Sequence, residues 1–307
     1  MTPVAEARAM LAAAVGERLR AGFPMAPLTS FRLGGPAALY LEIRDDEDLD
    51  AVSATVRATG VAVVTIGKGS NVLVADEGFD GLVLRLGRGY RWIARDGDVL
   101  RVGAATPLPA LAGEALRHGL GGLAFLVAIP ASVGGGIRMN AGAHGEDIAA
   151  TCRGAGGIVL GSGERRTWAP AELAFTYRSS SLLPDAVITD AAFALRPEDP
   201  ATIRGAMDEA RRWRRETQPI AEPNCGSVFT NPPGDHAARL IDEAGLKGTT
   251  VGGAEVSRKH ANFIVAHPGA TAADVSALID RVRTRVADRS GVTLVPEVRR
   301  IGAADGT

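Results

Sequence analysis

Apolar residues along the chain recur at helical spacing in some stretches and alternate or run together in others. Val4 to Ala21 sets Ala, Leu and Val on one face and Arg and Glu on the other, which predicts an amphipathic helix. Asp45 to Gly60 repeats the pattern with Leu49, Val52 and Val56, and Leu108 to His118 gives another helix. Thr202 to Thr217, Ala237 to Ala244 and Thr271 to Arg289 follow. The last of these has Thr271 as a cap and an inward stripe of Val275, Leu278, Ile279, Val282 and Val286. Strand patterns appear at Leu39–Ile43, which alternates, and at Val61–Ile66, a β-branched run suited to burial. Leu82–Leu86 is a further strand, and Trp92–Val102 reads as a hairpin through Asp96-Gly97. Residues 149–194 are β-rich with a turn at Gly161-Ser162-Gly163, and Val187–Leu195 is a strand. Val256–Val265 and Val292–Val295 complete the set, and Arg196-Pro-Glu-Asp-Pro200 marks a boundary.

Between the third helix and residue 149 the pattern collapses into Gly119–Gly145, apolar up to Pro130 and then glycine-rich. Gly134, Gly135, Gly136, Gly142 and Gly145 each add to the entropy lost on folding, so backbone there is expected to pass close to something. A large anionic cofactor whose phosphates meet backbone N–H groups is one explanation. Close packing against another backbone is the other, and on this stretch alone both stand.

Composition narrows the partners. The 307 residues allow two or three domains and a buried core. Apolar residues make up 46% and charged residues 22%, and the net charge of −1 lends nothing to a nucleic-acid partner. Met1–Gly22 mixes charges with alanine and lacks a leader-like apolar core, and no run reaches the roughly 20 apolar residues of a membrane span. A cytoplasmic protein without membrane contact is expected. Cys152 and Cys225 are too few for a disulfide framework and have no metal-ligand spacing.

Five further stretches carry candidate chemistry. Gly67-Lys-Gly-Ser-Asn71 joins two strands and fits neither the dinucleotide fingerprint nor the P-loop, so an anion-binding loop and a plain turn remain open. Phe175-Thr-Tyr-Arg178 sets a guanidinium where carboxylate charge could be stabilised, or where a strand end pairs with an acid. Ser227 follows Gly226 without the Gly-x-Ser-x-Gly elbow of a nucleophile, which favours hydrogen-bond or proton donation, with Asn231 near to orient a ligand. Cys225 reads as a small buried residue or a reactive thiol. Glu297, fixed by Pro296, is either an acid or a partner for Arg299. The arginines of 204–215 suit a solvated helix face, with those near Gln218 able to point at a phosphate.

In order, Gly67–Phe79, Ile129-Pro-x-x-Val-Gly-Gly135, Met139-Asn-Ala-Gly142, Tyr177-Arg-x-Ser180, Gly226-Ser-Val-Phe-x-Asn-Pro232, Lys259-His-Ala-Asn-Phe263 and Pro296-Glu-Val-Arg299 follow one another along the chain. From about Leu28 to Gly302 the sequence resembles the UDP-N-acetylenolpyruvoylglucosamine reductase family. The resemblance implies an α+β FAD-binding fold of the vanillyl-alcohol-oxidase type in two subdomains, followed by an α+β substrate domain. The implied division is an N-terminal helix over 1–27, FAD binding over 28–197 (subdomains about 28–89 and 90–197) and substrate binding over 198–307. It also implies non-covalent FAD, NADPH as electron donor and a UDP-sugar enolpyruvyl ether as substrate, in a monomer or weak homo-oligomer. Hydride would reach the terminal methylene carbon of the substrate, and a proton its neighbour.

Carried over by motif, Ser227 is the proton donor, and Arg178 and Glu297 stabilise the enolate-bearing carboxyl, Glu297 in a protonated or proton-sharing state. Tyr177, Arg214, Asn231 and His260 fall at substrate positions. The cofactor falls on Gly67, Lys68, Gly69, Ser70 and Asn71, on Ile129, Pro130, Ser132, Val133, Gly134 and Gly135, and on Asn140 and Gly142. Residues 178–197 lack the tyrosine-bearing insertion of some members, so the chain is similar to the shorter type. Ala128 and Ala131 replace glycines usual in the family, from which weaker FAD loading is expected unless both keep negative φ. Two readings stay beside this one: another FAD oxidoreductase of the same fold, and a degenerate flavin or nucleotide sensor.

Overall fold

The structure, a computed structural model, describes residues 1–302. It contains two compact units, each discontinuous in sequence. The first comprises Met1–Phe23, Ala38–Lys68 and Asp80–Arg212. The second comprises Pro24–Ala37, Gly69–Phe79 and the chain from Trp213 on. The linear division expected at about residue 197 is therefore not how the chain packs. Helix Pro200–Thr217 buries Ile203, Met207 and Ala210 in a core of the first unit.

The first unit is built on two main sheets, with two short two-stranded ones beside them. One is four-stranded, in the order Arg20–Pro24, Pro36–Ile43, Phe79–Leu86, Val63–Thr65. Helices Pro3–Val15 and Asp46–Thr59 cover it with Ala7, Leu11, Leu49 and Val52. The first helix stops at Val15, where Gly16 returns its N–H to Ala12 O, and the residues expected to prolong it form an edge strand instead. The other sheet is five-stranded and antiparallel: Glu164–Trp168, Cys152–Val159, Ala186–Ala194, Val99–Gly103, Ile93–Asp96. The expected hairpin at Asp96-Gly97 is present. Its core gathers Leu100, Val102, Phe193, Leu111 and Val133.

The glycine-rich stretch differs from a loop. Val133–Arg138 is a short helix capped by Ser132, whose Oγ accepts the Gly135 N–H at 3.4 Å. Three consecutive glycines are poor helix formers. Tertiary bonds offset this, since the N–H groups of Val133 and Gly134 donate to Thr106 O and Ala104 O, both at 2.9 Å.

The second unit is built on helix Ala272–Ser290, whose stripe packs on Val228, Phe229, Ile241 and Ile264. The long strand expected over 256–265 is a hairpin of Ala254–Val256 and Ile264–Ala266, because residues 257–263 make a tight loop closed by Ser257 N–H to Phe263 O at 2.8 Å. The terminal strand lies at Arg299–Ile301, not 292–295, and runs parallel to Val72–Val74. No helix among the described residues is long and apolar enough to cross a membrane.

Candidate active site

The first unit carries an open pocket whose empty space, including the part open to solvent, is about 640 Å³. Of the expected cofactor residues, Gly67, Lys68, Ser132, Gly134 and Gly135 line it. A Cβ on Gly67 would stand 2.4 Å from Ser132 Oγ, so this approach of loop to helix cap requires glycine. Ile129, Pro130 and Val133 lie outside the lining, and Val133 is fully buried in the core. The N–H groups of Val133 and Gly134 are held by protein carbonyls, so the phosphate cradle expected from them is not built that way. The wall is cationic instead. Lys68, Arg85, Arg91 and Arg138 line the cavity, and the lining contains no carboxylate. Burial and the guanidiniums of Arg91 and Arg85 hold the Lys68 ammonium below its usual range. A bound anion relieves that repulsion.

Asn140 and Gly142, expected at the cofactor, also make contacts within the protein. Asn140, 2% exposed and at φ 39°, donates through Nδ2 to Thr176 O at 3.1 Å and to Asp147 Oδ2 at 3.0 Å. Its Oδ1 accepts the Ala149 N–H at 3.0 Å, so the side chain is engaged by protein at both ends. Thr176 and Ser179 exchange two backbone hydrogen bonds, at 3.1 and 3.2 Å, which turns the chain sharply at Tyr177-Arg178. Arg178 sits at φ 58°, a left-handed conformation that costs a non-glycine residue about 1–3 kcal/mol and gathers at functional sites. Its Nη1 lies 3.1 Å from the place a Cβ on Gly142 would take. Asn140 and Gly142 thus hold and make room for Arg178, while Tyr177 lies exposed with the guanidinium 4.9 Å from its ring centre.

The second unit carries Ser227 and Glu297. Gly226 turns at φ 81°, and its N–H donates to Asn224 Oδ1 at 2.9 Å. Beyond it, residues 228–230 pair with 295–297: Glu297 N–H donates to Val228 O at 2.7 Å and Thr230 N–H to Val295 O at 3.0 Å. Ser227 and Glu297 therefore stand one register position apart, each half-buried. Asn71, expected on the cofactor, donates through Nδ2 to Glu297 O at 3.2 Å and accepts the Arg299 N–H at 3.0 Å. Gly69 and Ser70 lie with it in this unit, and Gly69 O accepts the Ser30 N–H at 2.9 Å. Asn231 Oδ1 accepts the Ala237 N–H at 3.1 Å, starting helix Ala237–Glu243. Cys225 is fully buried and its thiol is pushed far up by desolvation, which removes the reactive-thiol alternative.

Arg214 is half-buried, its Nε bonded to Gln218 Oε1 at 3.2 Å, and desolvation presses its guanidinium toward losing charge. An anionic ligand is the natural complement. His260 packs edge-on against Phe263, ring centres 4.7 Å apart, and its Nδ1 accepts the Asn262 N–H at 3.3 Å. Burial, helped by the Lys247 charge, holds it below its ordinary value of 6.5. The unfolded chain takes up the proton first, so His260 costs no stability above about pH 6.5 and destabilises the fold as pH falls below it. NMR titration of the ring should show a midpoint below that of a free histidine, and the Phe263→Ala variant, which opens the packing, should move it upward.

Sequence reasoning missed Arg85 and Arg91, which sit in ordinary strand and turn contexts, and Asn262, whose amide partners lie 33 residues away. Among the described residues no group of three His, Cys, Asp or Glu could hold a metal ion.

Comparison with known proteins covers both units. A sequence model of an FAD binding domain matches residues 37–167. The model of the UDP-N-acetylenolpyruvoylglucosamine reductase C-terminal domain matches residues 218–301. UDP-N-acetylenolpyruvoylglucosamine reductase 2 of Symbiobacterium thermophilum is 47% identical over 300 residues, 97% of each chain. The reductase of Heliobacterium modesticaldum is 44% identical, over 92% of this chain and 90% of its own. The crystal structure of the Thermus caldophilus reductase superposes with a TM-score of 0.79 at 35% identity, covering 92% of this chain and 98% of that one. With both domains matched and relatives of this identity spanned end to end, the chain belongs to the UDP-N-acetylenolpyruvoylglucosamine reductase family.

Proposed function

We propose that the protein reduces UDP-N-acetylglucosamine enolpyruvate to UDP-N-acetylmuramate, a peptidoglycan precursor, using non-covalently bound FAD and NADPH. The observation that carries this reading is the pairing of 228–230 with 295–297, which ties the main chain that follows Ser227 to the main chain of Glu297. The Gly67–Ser132 contact and the acid-free cationic cavity suit the pyrophosphate of FAD. Along the sequence we assign FAD binding to 28–197 and substrate binding to 198–307, in line with the matches at 37–167 and 218–301, although residues 69–79 pack with the second unit and residues up to Arg212 with the first. The protein acts in the cytoplasm as a monomer or weak homo-oligomer.

Bound FAD supplies the hydride, received from NADPH, that reaches the terminal methylene carbon of the substrate. Charge then develops on the substrate carboxylate as an enolate. The Arg178 guanidinium, carried on its left-handed turn, stabilises that charge. Glu297 in its protonated form donates to the same carboxyl group. The Ser227 hydroxyl delivers a proton to the neighbouring carbon, completing addition of hydride and proton across the double bond. Arg214 takes an anionic group of the substrate, and Tyr177, Asn231 and His260 complete its binding. The test is anaerobic: NADPH bleaches the bound flavin, and UDP-N-acetylglucosamine enolpyruvate restores the yellow colour. Bleaching without recovery would point to another substrate, and protein that takes up no FAD would point to a degenerate scaffold.

The weaker FAD loading expected from Ala128 and Ala131 is conditional on their backbone, and the backbone supports tolerance of both methyls. Both keep negative φ, lie outside the cavity lining and pack their methyls on the core. The Ala128→Gly and Ala131→Gly variants should leave flavin content unchanged and each lose about 0.4–1 kcal/mol of stability, read from thermal or urea unfolding.

A further inference from the structure

The peptide stretch that carries Ser227 is held from one side by a single residue. Asn262, 4% exposed, accepts the Phe229 N–H on Oδ1 at 3.0 Å and donates from Nδ2 to Phe229 O at 2.8 Å. Its main-chain oxygen accepts the Val228 N–H at 2.9 Å. The opposite edge is held by Glu297, whose N–H donates to Val228 O. Residues 228–229 thus form the middle strand of a miniature sheet in which one side-chain amide replaces the next peptide group. A carboxamide suits this position because it offers one donor and one acceptor at the spacing of a peptide bond, whereas a hydroxyl is too short and a carboxylate lacks the donor.

The Asn262 end is itself fixed. Its N–H donates to His260 Nδ1, and the loop is closed by Ser257 N–H to Phe263 O and Phe263 N–H to His260 O. Upstream of Ser227, the Asn224 side chain holds Gly226, donates to Pro219 O and Glu222 O, and its main-chain oxygen accepts from Ser30 Oγ at 2.6 Å. We propose that Asn262 is a positioning residue for proton delivery: its amide sets the strand that aims the Ser227 hydroxyl. The proposal rests on Ser227 as the proton donor.

Stopped-flow measurement of the two half-reactions on the FAD-loaded enzyme tests it. Asn262→Ala should leave flavin reduction by NADPH near the wild-type rate and slow reoxidation by the enolpyruvyl substrate about 10²-fold, the effect expected of a donor displaced by an ångström. Asn262→Asp keeps the acceptor for the Phe229 N–H and loses the donor to Phe229 O, so its slowing should be intermediate; it carries the test if the alanine variant fails to fold. The double variant Ser227→Ala/Asn262→Ala should reoxidise no more slowly than Ser227→Ala, because the clamp acts only through that hydroxyl. Equal slowing of both half-reactions, or multiplied slowing in the double variant, would show a general structural role and overturn the proposal. If Ser227→Ala is slow while both Asn262 variants match wild type, the clamp alone falls. If Ser227→Ala reoxidises at the wild-type rate, the donor assignment falls with it.

Discussion

Ser227→Ala should slow reoxidation of the bound flavin by the enolpyruvyl substrate by roughly 10²–10⁴, while leaving its reduction by NADPH nearly untouched. The loss corresponds to about 3–5 kcal/mol of transition-state stabilisation. The split follows from chemistry: hydride transfer from NADPH needs no protein proton, whereas addition across the substrate double bond cannot finish without one. Folding should be unaffected, because Ser227 is half-buried and the segment is held by the main chains of Val228, Phe229 and Thr230. Equal slowing of the two half-reactions would remove the donor role and leave a binding role.

The second large effect lies in the cationic cavity. Removing Lys68 and Arg91 together should raise the FAD dissociation constant about 10²-fold, at the low end of about 1.5 kcal/mol for each charged hydrogen bond, since both side chains are exposed at the rim. These two are the informative choice. Arg85 also hydrogen-bonds Tyr40, and Arg138 donates to Leu183 O and Ala186 O, so their loss would mix binding with folding. Fluorescence titration of FAD into deflavinated protein at low and high salt reads the effect. Wild-type affinity should fall with salt, and the double variant should fall less, because fewer cations remain to be screened. An unchanged dissociation constant would place the pyrophosphate elsewhere.

Much of the architecture was legible because it is local. The Thr271 capping box and the stripe from Val275 to Val286 predict the last helix within a residue of its ends. The Asp96-Gly97 hairpin is equally local. Two of the misreadings share one cause, partners distant in sequence. Three glycines became helical because Ala104 and Thr106 accept the first N–H groups, which no propensity foretells. The last strand moved to 299–301 because its partner is Val72–Val74. At the site, the motifs single out Arg178, Ser227 and Glu297, whereas the bracing contacts of Asn140 and Asn71 have no signal in the sequence. Asn140 and Asn71 have polar side chains in glycine-rich loops, which fits a cofactor contact as well as a brace for the turn at Arg178 or for the Glu297 main chain. Only the three-dimensional partners show the brace.

The parallel pairing of Arg299–Ile301 with Val72–Val74 also sets an order of events during synthesis. Residues 69–79 leave the ribosome early, but the Asn71 amide and carbonyl find their partners, Glu297 O and Arg299 N, only when the last stretch of chain emerges. Contacts across that sequence span form late, because loop closure must be met before they contribute. A chain stopped short of residue 297 has every residue of the core around Phe193 and Val133, yet it leaves Asn71 without its partners. The nascent protein therefore acquires a finished loop only as its final strand is added.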